Sequence, residues 1–232
     1  GVYYTRREDG GAAAFYSGLV PVGERERDKA LRTSRLDPLM RDLQANTPLV
    51  SQIFLNTSDS LNRIYPYFEV LKQYPPGLDI PAFNFYYEAD ARHNPDRKAV
   101  WTDVYVDPAG QGWMASSIAP VYDGDFLEAV VGLDITVSAL VEGVLALQVP
   151  WQGYGVLVGK SGAILALPPA GERDLNLMEL KHHHYAELVL RDTFKPDDFN
   201  LFRRAEFGPL ATRLREQAGG TGEIVLRGER KR

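Results

Sequence analysis

Cysteine is absent from the 232 residues, which excludes disulfides, thiolate metal sites and cysteine nucleophiles. The compartment stays open, because disulfide-free proteins occur on both sides of a membrane. An excess of positive charge is missing too: 26 Lys and Arg against 31 Asp and Glu leave a net charge of -5. Such a chain offers phosphate backbones no general attraction, so nucleic acid is not an expected partner. Long uncharged apolar runs are also lacking. The most hydrophobic stretch, Phe126 to Trp151, carries Glu128, Asp134 and Glu142, so nothing in the chain is expected to span a bilayer. No signal peptide opens the sequence and no initiator Met is present, and the chain stops at Arg230-Lys231-Arg232 just after a strand-like run from Glu223. These ends read as those of a segment taken from a longer protein.

What is present can build a core, since 44% of the residues are hydrophobic and the length suits one large domain or two small ones. From Glu24 to Asn46 the spacing of Ala30, Leu31, Leu36, Leu39, Met40 and Leu43 predicts helix. Pro38 divides it, with Asp37 as N-cap of the second piece. Short strands are expected over Val50 to Leu55 and Ile64 to Phe68, and a short aromatic helix follows Asp79-Ile80-Pro81 through Tyr87. Arg92 to Arg97 reads as a loop in which His93 has no evident partner.

Val100 to Asp107 alternates, with Val100, Thr102, Val104 and Val106 facing the core and Trp101, Asp103, Tyr105 and Asp107 on the other face. Turns at Pro108 to Gly112 and Asp123-Gly124-Asp125 separate it from strands over Trp113 to Val121 and Phe126 to Ile135, making a three-strand antiparallel meander. An amphipathic helix over Val137 to Leu145 follows, with Asp134 or Thr136 near its N-cap. A second unit opens with a hairpin, Tyr154 to Val158 and Ala163 to Leu167, around Gly159 to Gly162. Helices are expected over Leu175 to Leu190 and Pro209 to Gln217, and a late strand from Glu223. Strands followed by helices without βαβ alternation give an α+β class rather than a Rossmann sheet.

Catalytic motifs are few. Gly159-Lys160-Ser161 lacks the upstream glycine of a phosphate loop, because position 154 is Tyr. No GxGxxG, GxSxG or HExxH occurs. His182-His183-His184, placed on a helix, would point in different directions and cannot converge on one ion, so no metal site is expected. No catalytic residue and no cofactor is assigned. The acidic and aromatic face of the 100–107 strand, with Asp134 at the end of the third strand, suits a ligand that carries an amine: rings attract cations and carboxylates accept ammonium hydrogen bonds. The same residues also have structural readings. Asp107 could start the turn, Asp134 could cap the helix, Asp103 could be solvated, and Trp101, Tyr105 and Trp113 could be core. Two acids could equally be a glycosidase pair.

The runs Asn84-Phe85-Tyr86-Tyr87, Val100 to Asp107, Ala119-Pro120-Val121-Tyr122 and Val130 to Thr136 resemble, in order and spacing, the membrane-distal half of double Cache sensor domains. The likeness is clear over about 50–147 and weaker over Tyr154 to Leu167. It implies a long N-terminal helix and two PAS-like domains, each a central antiparallel sheet flanked by helices. The boundaries expected are 1–48 for the helical region, 49–148 for the distal ligand-binding domain and 149–232 for a proximal domain lacking its last strands. It further implies the extracytoplasmic part of a membrane receptor such as a histidine kinase or chemoreceptor. Such a protein is anchored by flanking transmembrane helices, is homodimeric, and binds a small polar ligand. On that resemblance Asp107 and Asp134 hold a ligand ammonium and Tyr86-Tyr87 pack on it, so the expected ligand residues are Tyr86, Tyr87, Trp101, Asp103, Tyr105, Asp107 and Asp134. Where amino-acid-binding members have an arginine for the carboxylate, this sequence has Asn84, which opens the site to amines without one. Alternatives from other classes are a ligand-free dimerisation or protein-interaction ectodomain, and a hydrolase with paired carboxylates.

Overall fold

The computed structural model describes residues 1–6, 10–149, 153–216, 224–226 and 229–231. The chain is α+β and divides into two compact units, 1–136 with 182–193, and 137–181 with 194–232.

The first unit is built on an eight-stranded sheet whose elements are β1 (Tyr3–Tyr4), β2 (Ala13–Tyr16), β3 (Gln52–Thr57), β4 (Leu61–Tyr65), β5 (Val100–Trp101), β6 (Tyr105–Val106), β7 (Trp113–Asp123) and β8 (Phe126–Thr136). The order is β1-β2-β4-β3-β8-β7-β5, with β6 also on β7 and every pairing antiparallel. The meander read from the sequence is β5/β6–β7–β8, closed at its tight end by Gly124, whose φ of +59° suits the two-residue turn. β3 lies against the free side of β8. The N-terminal residues that carry no sequence signal supply β1 and β2, so the sheet begins before the helices do. Ala13–Tyr16 is fully buried, and a four-residue run with no polar alternation leaves periodicity nothing to detect.

Two ten-residue helices, α1 (Glu24–Thr33) and α2 (Asp37–Asn46), flank a 3-10 turn over Ser34–Leu36. They pack Ala30 and Met40 on one sheet face, against Tyr16, Leu61, Ile53 and Leu55. Pro38 sits in the first turn of α2, as its fixed φ allows. Asp37, expected as an N-cap, instead accepts from Arg63 Nη1 at 2.7 Å and from the Ala12 amide at 3.1 Å, tying α2 to the sheet. Arg63 is buried and also donates to the Ala30 carbonyl at 2.7 Å, so its charge is used beneath the helices. Two single-turn helices, α3 (Val70–Gln73) and α4 (Asn84–Tyr87), lie between β4 and β5 in the chain.

The opposite face carries Phe54, Asn56, Asn62, Ile64, Ser116, Ile118, Gly132 and Asp134, brought to one side because directly paired residues share a face. Gly132 is required there. A Cβ at this position would lie 2.1 Å from Phe54 Cζ, so its absence is what lets the ring cross the sheet.

In the second unit α5 (Val137–Leu145), β9 (Leu157–Val158), β10 (Ile164–Ala166), α6 (Pro169–Leu175) and α7 (Gly208–Arg215) surround a core of Ile164, Leu167, Leu175, Phe199, Leu201 and Phe207. Two further strands, β11 (Ile224–Leu226) and β12 (Glu229–Lys231), pair with each other. Residues 217 and 223, at the ends of the expected last helix and strand, lie outside the described residues. The helix expected over 175–190 does not form. α6 stops at Leu175, where Asn176 takes a left-handed conformation, φ +53°. From there to Thr193 the chain runs without helix, and 182–193 belongs to the first unit. The histidine run therefore lies on an arm rather than on a helix, with the His183 ring edge-on to Trp113 at 6.0 Å and to Tyr185 at 4.8 Å.

Buried inside the second unit, Lys195 Nζ lies 2.5 Å from Glu179 Oε1, and both side chains are almost wholly excluded from solvent. Glu179 accepts the amides of Leu167 at 2.6 Å and Leu180 at 2.8 Å, and Lys195 donates to the Ile164 carbonyl at 3.1 Å. Burial holds the Lys195 ammonium below its ordinary pKa, against the pull of Glu179.

Candidate functional site

A pocket opens on the sheet face of the first unit opposite α1 and α2, lined by Phe54, Asn56, Asn62, Ile64, Tyr74, Phe85, Tyr105, Asp107, Pro108 and Asp134, with a cavity volume of about 20 Å³. That is room for about one or two water-sized groups, so an organic ligand enters only as the lining side chains move apart.

Asp107 ends β6 and turns the chain. Its carboxylate accepts the amides of Ala109 at 2.9 Å and Gln111 at 3.0 Å, while its own amide donates to the Gly112 carbonyl at 2.9 Å. The turn-starting and pocket-lining readings of this residue therefore both hold, because each carboxylate oxygen has a lone pair to spare. Burial pushes the Asp107 carboxyl up to about 6, against the pull of those two amides. Asp134 sits on β8 beside Ser116 of β7, whose hydroxyl donates to Oδ1 at 2.6 Å and in turn meets Tyr105 Oη at 2.7 Å. Burial, and next the charge of Asp107, hold the Asp134 carboxyl well above the carboxylate range. Among the described residues no lysine, arginine or histidine lines the pocket. Two carboxylates are thus buried together without a cation, an arrangement that favours protonation until a cation arrives.

Of the sequence-predicted residues, the structure brings Tyr105, Asp107 and Asp134 to the pocket. Tyr86, Tyr87, Trp101 and Asp103 stand elsewhere. Tyr86 donates to the Leu127 carbonyl at 3.0 Å and Tyr87 to Asp192 Oδ2 at 2.9 Å, so both hydroxyls are committed to the scaffold, and the ring that α4 offers the pocket is Phe85. Burial pushes both phenols above their ordinary pKa.

Trp101 is 53% exposed whereas Tyr105 is buried, although strict alternation puts both on one face. The ladder explains the reversal. Trp101 pairs with Ser117 and Tyr105 with Met114, so four steps on one strand match three on the other. One extra residue within 102–104 forms a bulge, which turns everything after it over to the opposite face. Asp103 falls in that bulge, half-buried, and its carbonyl accepts from Asn84 Nδ2 at 3.5 Å. Asn84 is buried outside the pocket, and its amide donates to Asp192 Oδ1 at 3.0 Å. Arg97 cannot replace the missing guanidinium: it donates to the Gly124 carbonyl and to Asp125 and lies over the Tyr122 ring. His93 does have a partner, since its ring Nδ1 meets Asp90 Oδ1 at 2.8 Å.

Sequence reasoning misses Phe54, Asn56, Asn62, Ile64, Tyr74, Phe85 and Pro108. The Asn56 and Asn62 pair is visible only through strand pairing, because they face each other across β3 and β4. It also misses the arm, which braces the pocket wall. Tyr185 donates to the Asp107 carbonyl at 2.6 Å and accepts from the Gly112 amide at 2.9 Å, and the Thr193 carbonyl accepts from Val106 at 2.9 Å. Among the described residues no cluster of three His, Asp or Glu side chains is arranged to hold a metal ion, and no helix is long and apolar enough to cross a membrane.

No protein-family model matches the chain, and no curated protein matches it. Solved structures do. The ligand-binding domain of the Pseudomonas aeruginosa PAO1 amino acid chemoreceptor PctB, in complex with L-Arg, superposes with a TM-score of 0.51 at 17% identity over 89% of this chain and 70% of that one. The ligand-binding domain of the Pseudomonas fluorescens chemoreceptor CtaA, in complex with L-valine, gives 0.44 at 22% identity over 55% of this chain and 53% of that one. The extracellular domain of the putative histidine kinase mmHK1S-Z2 gives 0.47 at 14% identity over 87% and 72%. The chain spans about half the length of the CtaA domain. At the level of the fold, the PctB likeness agrees with the resemblance to a Cache sensor domain seen in the sequence.

Proposed function

We propose that the chain is the extracytoplasmic sensing portion of a transmembrane signalling receptor, laid out as two PAS-like units, and that its first unit binds a small polar ligand through an ammonium group. The observation that carries this reading is the pair of buried carboxylates, Asp107 and Asp134, in a pocket with no cationic side chain among the described residues. Burying two acids without a cationic partner is costly, and a ligand-free ectodomain has no use for that cost, whereas an incoming ammonium offsets it. Asp107, Asp134 and Tyr105 are the proposed polar ligand residues, and Phe54, Phe85 and Tyr74 supply aromatic walls on which an alkylammonium can rest. The fold shared with the chemoreceptor domain supports a sensing role. Binding would shift a two-state equilibrium of the module, read across the membrane by flanking transmembrane segments of a homodimeric receptor.

A thermal-shift screen of amines, amino acids and carboxylates tests the reading, because a ligand specific to the folded state raises Tm. Amines should produce the shift, and it should vanish in Asp107→Asn and Asp134→Asn. A shift produced only by carboxylates without an amine would reject the site.

A further inference from the structure

Asn62 and Asn56 are directly paired across β4 and β3, and both line the pocket. Asn62 Nδ2 donates to Asn56 Oδ1 at 2.7 Å. Asn62 Oδ1 is buried with no hydrogen-bond partner among the described residues. A buried carbonyl oxygen left unsatisfied costs about 1–3 kcal/mol, and in a polar pocket it marks where a ligand donor belongs. Asp134 lies on β8, on the far side of β3 from β4, and four residues further along the ladder, so Asp134 and Asn62 stand apart across the pocket that both line.

We propose that Asn62 is a specificity-determining residue whose side-chain oxygen accepts a hydrogen bond from a second donor at the far end of the ligand. The ligand class is then a small amine bearing a second amino or hydroxyl group, and not one bearing a carboxylate. This rests on the ammonium site assigned to Asp107 and Asp134, and it concerns the other end of the same molecule. A carboxylate there would be repelled by the unpaired oxygen and would find no cation to pair with among the described lining residues. A methyl group would leave the oxygen desolvated and unpaired. A terminal amino group satisfies it and also gains from the acidic character of the whole pocket.

Calorimetric titration of the 232-residue chain with putrescine, n-butylamine and γ-aminobutyrate separates the two ends, because these share a four-carbon chain and differ in the far group. Putrescine should bind roughly tenfold or more tighter than n-butylamine, and γ-aminobutyrate weakest. Asn62→Leu should abolish the preference for putrescine, bringing its affinity and that of n-butylamine together. Asn62→Asp keeps the acceptor and adds charge, so it should tighten putrescine selectively, and its melting curve reports whether the fold is intact. Equal affinities for putrescine and n-butylamine, both lost in Asp107→Asn, would overturn the role of Asn62 and leave the ammonium site standing. Loss of putrescine binding in a folded Asn62→Asp would overturn it too, by showing that the amide acts as donor. Amine binding unaffected by Asp107→Asn would overturn the ammonium site and this inference together.

Discussion

Ser116 and Asp134 face each other directly across the β7–β8 ladder, and the serine hydroxyl donates to Asp134 Oδ1 at 2.6 Å. That hydrogen bond favours the charged carboxylate and works against burial and the charge of Asp107. Ser116 is fully buried, so the hydroxyl has no water to fall back on. Replacing Ser116 with Ala should destabilise the unit by about 1–3 kcal/mol, the cost of removing one partner of a buried hydrogen bond, and weaken amine binding as ionisation of Asp134 becomes harder. Urea unfolding and an amine titration of the variant check both.

Gly132→Ala should be more damaging than its size suggests. The new methyl would lie 2.1 Å from the Phe54 ring, which lines the pocket and has a paired strand on either side. Overpacking of this kind costs about 1–3 kcal/mol, and the displaced ring should also reduce affinity. Pairing it with Phe54→Leu should recover stability without recovering binding, as read by denaturation and calorimetry.

Stability and binding should respond to pH in opposite directions. The carboxyls of Asp107, Asp134 and Glu88 all stand above their ordinary values, Asp107 at about 6 and Glu88 at about 7, with burial the largest cause in each. An acid whose folded pKa is raised keeps its proton in the folded state after the unfolded chain has lost it. Its stabilising contribution is therefore full below the unfolded pKa and is lost as pH rises through the folded one. The ligand-free chain should melt higher near pH 5 than near pH 8. Amine affinity should instead rise across that interval and release protons, which calorimetry in buffers of different ionisation enthalpy detects.

Lys195→Met should destabilise the second unit by about 3–5 kcal/mol, because Glu179 is left charged and buried without its partner. The double replacement with Glu179→Leu should recover part of the loss, limited by the Leu167 and Leu180 amides that Glu179 satisfies. Urea unfolding of the two variants shows the difference. Amine affinity should be the same in both wherever the fold persists.

The meander and the Val137–Leu145 helix are legible in the sequence because each repeats its hydrophobic period for long enough to show a face. Ala13–Tyr16 is too short and too uniformly apolar to do so. Tyr105, Asp107 and Asp134 were legible as pocket residues. Trp101 was not separable from them, because the bulge that turns it outward is a property of the pairing between two strands and leaves no mark on one. The 182–193 arm was hidden for another reason: its helix-compatible residues are overridden by Asn176 and by the contacts of Tyr185 and Asp192 with residues some 70 or more positions away.

The most direct measurement is calorimetric titration of n-butylamine into the wild-type chain and into Asp134→Asn near neutral pH, with melting curves showing both folded. Saturable binding to the wild type and a loss of tenfold or more in the variant is the predicted result. Equal binding to the two proteins, or none to a folded wild type while an amine-free carboxylate binds, would contradict an ammonium site built on Asp107 and Asp134.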